Sequence, residues 1–194
     1  MLYNGDTFEH GGEQFRVTFP PEDYSEAPWE WEDGHGPVSE WTSREKASGE
    51  RELCSDRHSR RFYDFAEAVK IAKRDGWGLC DADKAKLTSK LGRAPTRKEI
   101  ITEAVERDFR YLYGWCNDQW EYLCVVVEHL DEDGETTGEE ASLGMVESSE
   151  RSYLDATAYE LAAGICDRLN AQRDREATIA AEQMELSRPD MYNT

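Results

Sequence analysis

Six carboxylates crowd into ten residues at Asp131, Glu132, Asp133, Glu135, Glu139 and Glu140, the densest set of chemically competent side chains in the 194-residue chain. Carboxylates at alternate positions can converge oxygens on a hard cation, as in an EF-hand loop. The spacing does not fit that pattern: Gly134 stands fourth where the motif needs glycine sixth, and no helix precedes the loop. A solvated acidic turn is the better reading.

Two other groups offer chemistry. Asp33-Gly34-His35-Gly36 sets an acid beside an imidazole, an arrangement suited to proton transfer, and it lies among Trp29, Trp31 and Trp41. A small enzyme or modifier working from this Trp-rich loop with His35 is therefore the alternative function, and it requires a concave pocket around Asp33, His35 and Trp41. The chain carries neither a GxSxG nucleophile motif nor a GxxxxGK[ST] phosphate loop to complete such a site. Cys54-x-x-x-His58 could supply two metal ligands, but a tetrahedral zinc site needs two more and no second pair exists, so no metal and no cofactor are expected. Cys116 beside Trp115 lacks a histidine partner and reads as a buried thiol.

The elements that must carry these groups follow from periodicity. Leu123 to Val127 is a short, β-branched apolar run that fits a buried strand; Asp131 to Gly134 supplies turn chemistry, and Leu143, Met145 and Val146 bring the chain back. Thr7 to His10 and Glu13 to Phe19 flank Gly11-Gly12 as a second hairpin, ended by Pro20-Pro21. Glu50 to Cys54 reads as a short strand. Phe65, Ala68, Val69 and Ala72 recur at helical spacing, predicting a helix over 63–75. Residues 81–93 are compatible with a polar helix. Thr96 and Glu99 have capping-box spacing ahead of Ile100, Ala104, Val105, Phe109 and Leu112, so a helix runs to about Gly114. A long helix, capped by Ser149 or Ser152, runs through Leu154, Ala158, Leu161, Ile165 and Leu169, and Pro189 limits it. The class is α+β, an antiparallel sheet with about three substantial helices packed on it. Residues 1–170 read as a single domain, with 20–50 a Trp-rich ordered loop and 171–194 a helical extension and tail.

Charge restricts the partners. The net charge is −19, and between Tyr111 and Glu150 there are eleven acids and no Lys or Arg, whereas residues 51–110 hold fifteen basic against eleven acidic groups. Such a molecule should avoid nucleic acid and anionic membranes and attract basic surfaces. The six Trp and nine Tyr argue for a folded chain. Five cysteines without a CxxC pair suit free thiols in a reducing cytoplasm, and neither a signal peptide nor a membrane span is read.

The segments PWEWEDGHGPVSEWTSREKASGER, RRFYDFAEAVKIAKRDGWG, AVERDFRYLYGW, WEYLCVVVEHLDEDGE and SLGMVES resemble a group of uncharacterised proteins encoded by bacteriophages and prophages, over about Trp29 to Leu169. That resemblance implies a small, acidic phage-type protein in the host cytoplasm, with no established activity to carry over. Together with the charge it gives the leading expectation: a non-enzymatic, nucleic-acid-mimicking inhibitor of a CRISPR or restriction complex, whose partner is a basic host protein or nucleoprotein. The expected contact residues are Asp131, Glu132, Asp133, Glu135, Glu139 and Glu140, with Glu30, Glu32 and Asp33 as a second patch. A homo-oligomeric accessory protein, pairing basic with acidic segments, is the third possibility.

Overall fold

The structure is a computed structural model that describes residues 1–22 and 26–186. In chain order the elements are β1 (Thr7–His10), β2 (Glu13–Thr18), α1 (Pro28–Trp31), β3 (Glu50–Ser55), β4 (Arg60–Asp64), α2 (Phe65–Asp75), α3 (Asp81–Leu91), α4 (Arg97–Cys116), β5 (Tyr122–Leu130), β6 (Thr136–Glu147) and α5 (Arg151–Leu186). The strands pair antiparallel in two sheets, one of four strands in the order β1-β2-β5-β6 and one of β3 with β4, and the class is α+β as the sequence predicts. The chain forms two compact units, the first from Met1–Asp23 with Tyr122–Thr194 and the second from Tyr24–Glu121. The sequence reading draws no such division.

In the first unit, Gly11 and Gly12 both take positive φ, which lets a two-residue turn match the twist of its strands. Strand alternation then sends Phe15 and Val17 inward and leaves Arg16 and Thr18 on the other face. Strand β5 follows suit, with Val125 and Val127 fully buried between half-buried Cys124, Val126 and Glu128. Helix α5 covers the buried face through Leu154, Ala158, Ala162 and Ile165, the i, i+4, i+8, i+11 stripe of an amphipathic helix. Each fully buried Leu or Ile contributes about 2 kcal/mol by area. Neither Ser149 nor Ser152 opens this helix: its first backbone bonds end on the Glu150 carbonyl, and the Ser149 hydroxyl bonds Glu147. From residue 170 the described side chains of α5 are exposed. Arg173 ties this extension back to Glu13 at 2.7 Å. The tail with Pro189 lies outside the described residues.

The second unit is built on the β3–β4 hairpin. Strand β4 takes Tyr63 and Asp64, which the sequence reading places in a helix; Phe62 and Tyr63 are both buried, and Asp64 instead caps α2 by accepting from Glu67 N at 2.9 Å. Residues 37–42 run along β4, with Ser39 N donating to Phe62 O, Thr42 N to Arg60 O and Pro37 O accepting from Asp64 N. Helix α4 starts at the predicted capping box: Thr96 and Glu99 exchange bonds, and Arg93, then Thr96, hold the Glu99 carboxyl down to about 2. A cap of this kind contributes about 1 kcal/mol. Ile101, Val105 and Leu112 pack with Leu53, Tyr63, Ala68 and Ala72. Helix α3 buries Leu87. Among the described residues no helix is long and apolar enough to cross a membrane.

Candidate functional site

Folding sorts the charge more sharply than the linear chain does. The first unit holds 22 acidic and 6 basic residues, net −16; the second holds 20 and 17, net −3. Nearly all of the −19 thus belongs to the four-stranded sheet and its helix. About half of the second unit's cations are paired with its own acids, as in Arg44–Glu50, Arg51–Glu106, Arg93–Glu99, Arg107–Asp83 and Arg110–Glu103. The basic middle segment is therefore neutralised within its own unit, which weakens its use as a complement to the acidic hairpin in an oligomer.

The β5–β6 hairpin displays the acids in two ways. Asp131 is structural, since its Oδ1 accepts from Asp133 N at 3.0 Å and Glu135 N at 2.9 Å while Gly134, at φ 82°, completes the turn. Glu139 pairs with Arg168 at 3.7 Å. The carboxylates of Glu132, Asp133, Glu135 and Glu140 are exposed and make no side-chain hydrogen bond or ion pair among the described residues. Glu140 also stands directly across from Glu128, a like-charge pair on adjacent strands that is destabilising by itself and is eased by Arg16, 4.0 Å from Glu128. Strand β6 is an edge strand, so the hairpin presents four free carboxylates beside an unpaired strand edge.

The other candidate patch lies in the second unit and its members have local work. Glu30 closes the first turn of α1 by accepting from Ala27 N at 3.1 Å, and Glu32 bonds His35. Asp33 is exposed. Of the three tryptophans, Trp29 packs edge-on against Trp115 at 5.4 Å, while Trp31 and Trp41 are each 46% exposed.

His35 is held from both ends. Its Nδ1 lies 2.6 Å from Asp108 Oδ1 and its Nε2 3.2 Å from Glu32 Oε2, and the ring stacks on Tyr111 at 5.6 Å. Burial pushes the imidazole down, but the bonds to Asp108 and then Glu32 outweigh it and raise its pKa above the ordinary 6.5. With both nitrogens engaged by carboxylates, the His35 ring clamps the Trp-rich loop to α4. Asp108 Oδ2 completes the clamp by accepting from Tyr63 Oη at 2.6 Å and Gly36 N at 2.8 Å. The sequence does hold a signal for this partner: Asp108 falls on the Ile101, Val105, Leu112 stripe, where an acid has no business unless bonded.

Gly36 is required here for space. A Cβ would stand 2.3 Å from Tyr63 Oη, 2.5 Å from its Cζ and 2.7 Å from Ala68 Cβ. Gly36→Ala is expected to destabilise the second unit by about 1–3 kcal/mol, read as an earlier urea midpoint at unchanged slope. An unchanged midpoint would show that the loop moves aside freely.

Comparison with protein-family models, curated proteins and solved structures finds no match.

Proposed function

We propose that the protein is a phage-type, non-enzymatic binding protein that inhibits a host nucleic-acid-handling defence complex, of the CRISPR or restriction kind, by occupying its basic channel with the acidic first unit. One observation carries this reading: a net −16 concentrated in one unit, with Glu132, Asp133, Glu135 and Glu140 in no ion pair among the described residues along the β5–β6 hairpin. A duplex presents one negative charge about every 1.7 Å of its axis, and a basic channel that binds it releases condensed counterions. Carboxylates fixed on a strand pair and its turn offer such a channel a similar array without bases. The resemblance to phage-encoded proteins points to the host defence machinery as the partner class.

The test is DNA cleavage by purified CRISPR effectors and restriction nucleases across a salt series, with and without the protein. Inhibition is expected for at least one of them, competitive with DNA and weakening steeply as salt rises. Inhibition that ignores salt, or that does not compete with DNA, would exclude the mimicry mechanism, and no inhibition across the panel would exclude the partner class.

A further inference from the structure

The second unit contains a different kind of site at the junction of β3, β4 and the end of α4. Strand β3 slips register between Glu52 and Cys54, so that Cys54 stands opposite Arg61 on β4. Bulges of this sort re-aim side chains, and directly opposed residues share a face of the sheet. Cys116, in the last turn of α4, comes to the same place: both cysteines pack against one apolar cluster and line one cavity. Next in the chain to each cysteine, Asn117 Nδ2 donates to Leu53 O at 2.8 Å and fixes the helix end to the strand. Cys54, Cys116, Arg61, Trp41, Trp115 and Asp118 line a cavity of about 380 Å³, which gives a small molecule access to the thiols.

Arg61 is unusual in this unit. Its guanidinium lies 4.9 Å from the centre of the Trp29 ring and 5.1 Å from that of Trp41, and its buried Nε has no hydrogen-bond partner. Among the described residues it forms no ion pair, as Arg57 and Arg97 form none, whereas Arg44, Arg51, Arg60, Arg74, Arg93, Arg107 and Arg110 all do. The aromatic rings thus hold a cation beside two thiols, in a cavity that Asp118 and Glu121 also line. Burial pushes both thiols up, Cys116 to about 12; the Arg61 charge draws both down, while the Glu52 and Asp56 charges push Cys54 further up.

We propose that Cys54 and Cys116 form a redox site that closes to an intramolecular disulfide by exchange with a low-molecular-weight disulfide, with Arg61 as the positioning cation for the attacking thiolate. Cys54 gives its proton to solvent, and its thiolate attacks one sulfur of the oxidant, releasing one thiolate and leaving a mixed disulfide. Cys116 then loses its proton and attacks the Cys54 sulfur, forming the Cys54–Cys116 bond and expelling the second small thiolate. Two electrons pass from the cysteine pair to the oxidant, and the two protons end on the two small thiols. The high resting values of the thiols make the exchange slow near neutrality and faster as pH rises. The bond would staple β3 to α4 across the loop between residues 54 and 116.

The experiment uses the full, reduced chain with oxidised glutathione as the probe, followed by alkylation, intact mass and peptide mapping. The expected product has lost two hydrogens at this site, yields a Cys54–Cys116 cross-linked peptide, and melts about 10 °C higher. Cys54→Ser is expected to leave Cys116 as a free thiol and Cys116→Ser to stop at a glutathione adduct on Cys54. Arg61→Gln should slow cross-linking at neutral pH about tenfold and move its pH profile upward, with Arg61→Lys restoring most of the rate. Cys54 and Cys116 recovered separately alkylated, under conditions that fully oxidise exposed Cys80, would overturn the site. Unchanged kinetics in Arg61→Gln would remove the arginine from it.

Discussion

Asp108→Ala is expected to cost the second unit about 3–5 kcal/mol, among the largest losses available to a single side chain outside its apolar core. The Asp108 side chain is 8% exposed and serves three donors, His35, Tyr63 and the Gly36 amide. Removing it takes from His35 the nearer of its two carboxylates and leaves the Tyr63 hydroxyl and the Gly36 amide without their acceptor, and burial together with the Asp108 charge already pushes the Tyr63 phenol up, so that hydroxyl remains a donor in search of an acceptor. The linkage gives a second readout. Since the folded pKa of His35 is raised above 6.5, its contribution is fully present below the unfolded value and is lost as pH rises through the folded one. Wild-type stability should therefore fall across that window, and in Asp108→Ala the fall should shrink, because the larger of the two attractive partners has gone. Urea unfolding at a series of pH values, followed by tryptophan fluorescence, measures both. A loss below about 1 kcal/mol with the pH slope unchanged would mean that water replaces the carboxylate and that no clamp exists.

What the sequence reveals of this clamp is instructive. The helix α4, its capping box and its stripe are legible because they depend on residues three and four apart, and the β5–β6 hairpin is legible because a β-branched run meets turn residues. His35 is recognisable as a group capable of chemistry and Glu32 lies within local reach of it, but Asp108 is 73 residues away, and Tyr63, which donates to Asp108, is 45 residues from that acid, so no local rule couples them. Strand β4 is hidden for a related reason: Arg57 to Arg61 reads as a basic run without strand alternation, and Tyr63 and Asp64 merge into the helical period of α2. The pairing of Cys54 with Arg61 depends on a bulge, which leaves no mark in composition. Charge suffered most from linear reading, because the first unit is assembled from both ends of the chain. Segment sums spread the acidity over three stretches, and the fold gathers all but −3 of it into one unit.

That gathering makes the second large prediction specific. Lysine at Glu132, Asp133, Glu135 and Glu140 together reverses the four carboxylates that no cation neutralises, and it spares Asp131 and Glu139, which hold the turn and Arg168. The fold should persist, because these side chains are exposed and make no side-chain bonds among the described residues. Inhibition should weaken about 100-fold or more, since each reversal converts attraction to the basic channel into like-charge repulsion, and the salt dependence should flatten with it. The comparison that decides the matter is a second variant with the same charge change elsewhere on the first unit, at Glu160, Asp167, Glu182 and Glu185 along α5. If both variants lose activity equally, the acting quantity is the overall field, and the hairpin has no special part. If neither does, acidity serves another purpose and the contact surface lies elsewhere. Loss confined to the hairpin variant is the expected result, because α5 spreads its charges along a helix, Glu182 and Glu185 on the extension that Arg173 tethers, whereas the hairpin gathers its four within nine residues of one turn and strand. Rigidity matters for mimicry, since a channel shaped for a stiff duplex gains little from charges that must first be ordered.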